Sequence, residues 1–148
     1  VNKMAITTKM CVSFKQELLN KEHDINSDTI KIALIKSGES GTYNASTTNY
    51  STVTGNSDEA SGTGYSAGGQ TLQNANLQIS GEVAFVDFDD VTWSGSTISA
   101  AGAILYNSSV SNKAIAILSF GGTVASSSGN FVLTMPANNS SNALLRLS

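Results

Sequence analysis

The stretch Ala103-Ile104-Leu105-Tyr106-Asn107-Ser108-Ser109-Val110-Ser111-Asn112-Lys113-Ala114-Ile115-Ala116-Ile117-Leu118-Ser119-Phe120 decides the fold class. Two strongly apolar runs, Ala103 to Tyr106 and Lys113 to Phe120, flank a polar turn from Asn107 to Asn112 and read as two strands, the second broken by Gly121-Gly122. Upstream, Val91-Thr92-Trp93 ends at Ser94-Gly95, and Ile98 lies between that turn and the apolar run. Leu72, Leu77 and Ile79 precede Ser80-Gly81, a turn signal, after which Val83 to Phe88 reads as the returning partner of a hairpin. Further upstream, Thr29 to Lys36 places Ile30, Ile32 and Leu34 on one side of a period-2 pattern and Lys31, Ala33 and Ile35 on the other. Downstream, Phe131 to Met135 stops at Pro136, the only proline, and Ala143 to Leu147 closes the chain.

About eight short strands, with turns roughly every eight to twelve residues, predict an all-β domain, an antiparallel β-sandwich or barrel. No fixed-period repeat suggests a solenoid. One helix is expected, from Thr8 to Asn20, where Met10, Phe14 and Leu18, with Cys11 and Leu19 beside them, recur at helical spacing. It is short and needs to dock on the rest of the chain. Asn26-Ser27-Asp28 reads as a turn. Between Ser37 and Gly69 there is almost no large aliphatic residue; the apolar content is mainly Tyr43, Tyr50, Val53 and Tyr65, which predicts a surface excursion or an extended arm. The 148 residues then form a single domain, with a helix or arm over 1–27 and the β-sandwich over 28–148, interrupted by the polar excursion 37–69.

Composition agrees with strands and small polar turns: Ser, Thr, Asn and Gly make up 64 residues, whereas charged residues are only 13%. The net charge of −3 is unevenly spread. From Ser37 to Asn112 there is no Lys or Arg against seven acids, while the flanking segments each carry +2. Nucleic-acid binding needs clustered cations to displace counterions, so no direct DNA or RNA partner is expected. No apolar run approaches the roughly 20 residues that span a bilayer, and the N-terminus lacks the apolar core of a signal peptide, so a soluble, unprocessed protein with no membrane partner is expected.

Few side chains are equipped for catalysis. With one His and one Cys, a four-ligand Cys/His zinc site is excluded, as is a disulfide within the chain. Gly62-Thr63-Gly64-Tyr65-Ser66-Ala67 formally satisfies a dinucleotide fingerprint, but polar Gly55 to Glu59 precedes it and Gly68-Gly69-Gln70 follows, so the strand and helix that chemistry needs are missing. The segment reads as a turn or bulge. Asp87, Asp89 and Asp90 with Glu82 could offer oxygen ligands to Ca²⁺, yet they lack the glycine and distal glutamate of an EF-hand loop and read as a solvated strand end. Nothing fixes the carboxylate separation that glycosidase chemistry would need. His23, in Lys21-Glu22-His23-Asp24, reads as a solvated or C-capping residue at a charged helix end, and Cys11 as a packed thiol. Trp93 and the tyrosines could line a sugar groove or pack in a core or interface. No catalytic residue, cofactor site or metal site is assigned.

Several stretches taken together resemble a known family: Met10-Cys11 through Leu18-Leu19, Asp28 to Leu34, Ser61 to Gly69, Val86-Asp87-Phe88-Asp89-Asp90-Val91-Thr92-Trp93, Gly102 to Asn107, Asn112 to Ala116 and Phe120-Gly121-Gly122. They resemble small virion structural proteins of tailed bacteriophages, particularly those of aquatic bacteria, over nearly the whole chain from Met4. The resemblance implies an all-β, non-enzymatic particle protein present in many copies. It would be made in the host bacterial cytoplasm and located on the capsid surface as a decoration or cement protein. Its partners would be the major capsid protein and copies of itself. Met10, Phe14, Leu18, Tyr43, Tyr50, Tyr65 and Trp93 are the candidate partner-interface residues. The alternative is a tail- or fibre-associated module, with a glycan as ligand of the same aromatic residues.

Overall fold

The period-2 pattern of Ile30 to Lys36 and the apolar run ending at Tyr106 become neighbouring antiparallel strands, with Ile32 opposite Leu105 and Leu34 opposite Ala103. A computed structural model describes residues 6–148. In chain order the elements are β1 (Lys9–Met10), α1 (Val12–Leu19), β2 (Ile30–Lys36), α2 (Ser51–Gly55), β3 (Gln70–Thr71), β4 (Asn76–Ser80), β5 (Val83–Asp87), β6 (Val91–Ser96), β7 (Ser99–Asn107), β8 (Lys113–Ala125), β9 (Gly129–Leu133) and β10 (Leu145–Leu147). The protein is all-β with antiparallel sheets and a short helix near its N-terminus. A five-stranded sheet runs β1-β8-β7-β2-β3, a three-stranded sheet β10-β5-β4, and a two-stranded ribbon pairs β6 with β9. The five-stranded sheet ends at β1 and β3, so it is open and not a closed barrel. Side chains of all three sheets meet in one core, including Leu34, Ile104 and Ile117 from the large sheet, Val86 and Leu145 from the second, and Trp93 and Phe131 from the ribbon.

β2 and β7 are buried on both faces along most of their length, which is why they read as apolar runs rather than as a strict alternation. The hairpin around Gly81 forms as its sequence predicts, with Ser80 opposite Val83 and Gly81 at φ +60°.

Three local expectations are corrected. The helix begins at Val12 rather than Thr8, because Lys9 and Met10 pair with Ile117 and Ala116 at the edge of β8 and Cys11 is extended. Gly121-Gly122 does not end β8. Gly102 pairs with Ser119 and Ala100 with Val124, so the residues between Ser119 and Val124 bulge opposite Ala101, and Gly121 at φ +74° takes the turn a side chain would resist. Last, the polar segment 37–69 is not an arm. Tyr43, Val53, Asp58 and Ala60 are buried, Ser51–Gly55 is helical, and single bridges tie Tyr43 to Ile6, Glu59 to Ile35 and Asn49 to Lys113. Of the helix or arm expected over 1–27, the helix forms as α1, residues 6–27 are folded onto the body through β1, α1 and the Ile6 bridge, and residues 1–5 lie outside the described residues.

Candidate functional site

Two neighbouring carboxylates organise the segment 37–69. Asp58 is fully buried and accepts from the Tyr43 hydroxyl at 2.5 Å, from the Ser40 amide at 2.9 Å and from the Gly41 amide at 2.8 Å. Burial alone would raise its carboxyl, but these donors outweigh it and hold the group below the ordinary aspartate range. Glu59 accepts from the hydroxyls of Tyr50 at 2.5 Å and Tyr65 at 2.8 Å and from the Gly68 amide at 2.6 Å. Tyr65 in turn accepts from the Leu34 amide, and Tyr106, stacked on Tyr50 with ring centroids 4.4 Å apart, donates to the Gly68 carbonyl. Burial pushes all four phenols up, Tyr106 to about 12. Each is a held, protonated donor, so the cluster staples the segment to β2 and β7.

The expected interface aromatics are therefore placed largely inside the chain. Tyr43 and Trp93 are buried, Tyr50 and Tyr65 are half-buried with their hydroxyls taken by Glu59, and Trp93 packs edge-on against Phe131. These rings do not form the open platform that stacking on a sugar requires. Gly62 and Gly69, from the glycine-rich stretch, adopt positive φ, and a side chain would collide with the Thr97 and Ile32 carbonyls respectively. The turn reading of that stretch agrees with this close backbone packing.

Met10, Phe14 and Leu18 have a different setting. Together with Leu77, Ile79 and Leu147 they line an apolar groove of about 490 Å³ between α1 and the β10-β5-β4 sheet. Phe14 is buried at its floor, Met10 and Leu18 are half-buried, and Leu77 and Ile79 stand 49% and 80% exposed. All five residues of β4 are exposed, and β4 is a sheet edge.

His23, expected at a solvated helix end, instead has a fully buried side chain. The Asn107 amide donates to His23 Nδ1 at 3.0 Å and to Asp28 at 2.7 Å, which leaves Nε2 as the nitrogen bearing the proton that faces Glu17 at 3.2 Å. Lys113 completes the cluster with Glu17 and Glu22. The Phe14 ring edge lies against the imidazole, so this polar network underpins the docking of α1. Nothing in the local sequence marks it, since Lys113 meets Glu22 across 91 positions and Glu17 lies further still.

Asp87 is likewise not at a solvated strand end: it is 4% exposed, whereas Asp89 and Asp90 are exposed. Asp89 accepts from the Asn74 amide and Asp90 from the Met135 amide. Among the described residues, no three His, Cys, Asp or Glu side chains gather closely enough to hold a metal ion by themselves. No described helix is long and apolar enough to cross a membrane. Comparisons with family models, curated proteins and solved structures gave no match to this chain.

Proposed function

We propose that this chain is a virion structural protein of a tailed bacteriophage, a capsid decoration protein that binds the major-capsid lattice through shape and reinforces it. The observation that carries the reading is the uncovered edge strand β4 beside the apolar groove. Folded proteins ordinarily blunt such an edge with charge, proline or a bulge, because unpaired backbone groups recruit another chain. Asn76-Leu77-Gln78-Ile79-Ser80 has no charged residue and no proline, pairs with β5 without a register shift, and presents Leu77 and Ile79 outward. A capsid subunit adding a strand there would gain main-chain hydrogen bonds and cover the groove. Weak contact per copy suffices on a symmetric shell, where repetition supplies avidity. The whole-chain resemblance supports the same reading.

Expanded capsids lacking the protein test it. Purified protein should co-sediment with them in hundreds of copies per particle, and Ile79→Lys should abolish binding while leaving the fold intact. Failure to bind, with the protein found on tails in about six or twelve copies, would replace this reading with the tail-associated one.

A further inference from the structure

The acidic end of β5 contains a buried oxygen that the chain itself leaves without a partner. Asp87 Oδ1 accepts from the Phe88 amide at 2.9 Å, but Oδ2 is buried and makes no hydrogen bond. Asn138, from the segment between β9 and β10, has the same deficiency at its side-chain oxygen, which is also buried and unpartnered. Both residues line one cavity of about 650 Å³, together with Asp89, Asp90, Asn74 and Asn76. An unpartnered buried carboxylate oxygen is unfavourable unless a proton, a donor or a cation answers it. No Lys or Arg lines this cavity.

We propose that the cavity is a binding site for a hard divalent cation, Ca²⁺ in particular, held between the carboxylates of Asp87 and Asp90 and the amide oxygen of Asn138. All three donors are oxygens, the set that hard cations select, and an amide carbonyl serves as well as a carboxylate in such shells. A third carboxylate is not required. The buried Asp87 Oδ2 is left without a donor, and Asp90 lines the same cavity, so the position is short of positive charge. Two carboxylates in an open cavity place the affinity in the weak class, with Kd on the order of 10⁻⁴ to 10⁻³ M. The cation would tie the 134–144 segment to the end of β5, and so secure β10, which pairs with β5 through Leu145 and Val86. This site is separate from the groove and does not depend on the capsid reading.

The full chain, stripped with EGTA and titrated with CaCl2, provides the test. Calcium at about ten times Kd should raise Tm by about 3–5 °C, with a saturable heat in calorimetry at one ion per chain. Asp87→Asn should remove both signals. Because that variant changes a buried group, Asn138→Ala, in a loop, serves as the second: it should fold as the parent does and weaken binding at least tenfold. No response up to roughly 10 mM Ca²⁺, or an equal response in parent and Asn138→Ala, overturns the proposal.

Discussion

The Tyr43 hydroxyl donates to Asp58 Oδ2 at 2.5 Å, and neither side chain is exposed to solvent. This pair lies within a segment whose composition reads as surface, and it converts that segment into part of the core. A carboxylate buried this completely persists only because several donors answer it. Tyr43→Phe deletes one donor and leaves the charge in place, so the variant should lose about 2 kcal/mol of stability in urea unfolding. Tyr43→Phe as stable as the parent would show that the hydroxyl contributes nothing to holding Asp58.

Asp58 also makes stability depend on pH with a definite sign. Its folded carboxyl titrates below the ordinary aspartate value of about 3.9, so its contribution is fully present above that value and is lost as pH falls through the folded one. Urea midpoints measured from about pH 5 downward should therefore drop, and Asp58→Asn should flatten that part of the profile while lowering stability at neutral pH. An unchanged acid limb in Asp58→Asn would assign the loss to other groups.

Cys11 should be chemically silent in the native protein. Burial, with the Glu17 carboxylate adding to it, pushes the thiol up to about 12, so almost no thiolate exists near neutral pH. Ellman's reagent at about pH 8 should not react until denaturant is added, and then should report one thiol per chain. Rapid native labelling would mean that α1 undocks readily.

Asn107 should be the most costly polar residue to truncate in the α1 support. Its amide donates to His23 and Asp28 while its oxygen accepts from the Ser109 amide, so Asn107→Ala removes three hydrogen bonds. A loss of about 2–3 kcal/mol is expected, measured by thermal or urea unfolding. Asn107→Asp should also destabilise, since it replaces the donor to Asp28 with a second acceptor.

Gly69 should tolerate no side chain. Its φ is +75°, and a Cβ there falls on the Ile32 carbonyl, where the chain passes close to β2 before entering β3. Gly69→Ala should cost at least about 2 kcal/mol, more than the same change at Gly38, which has positive φ but open space around it.

What the amino-acid order determined by itself was the set of longer strands and their antiparallel character, but not the two-residue strands β1 and β3. The alternation in Ile30 to Lys36, the turn at Ser80-Gly81 and the two apolar runs around Asn107 to Asn112 are local patterns, and pleat and turn geometry act over a few residues. The helix was legible for the same reason, except at its start, where pairing of Lys9 and Met10 with β8 prevails over helical spacing. Tertiary structure alone decided the fate of the polar groups. Tyr43, Asp58, His23 and Asn107 are residue types found on surfaces, and each is buried here because its partner arrives from elsewhere in the chain, Asn107 meeting His23 across 84 positions. Asp87 is buried by the tertiary structure as well, but its Oδ2 finds no partner within the chain. A buried polar group is stable when its hydrogen bonds are answered, and that condition is set by three-dimensional neighbours, which periodicity and composition do not encode.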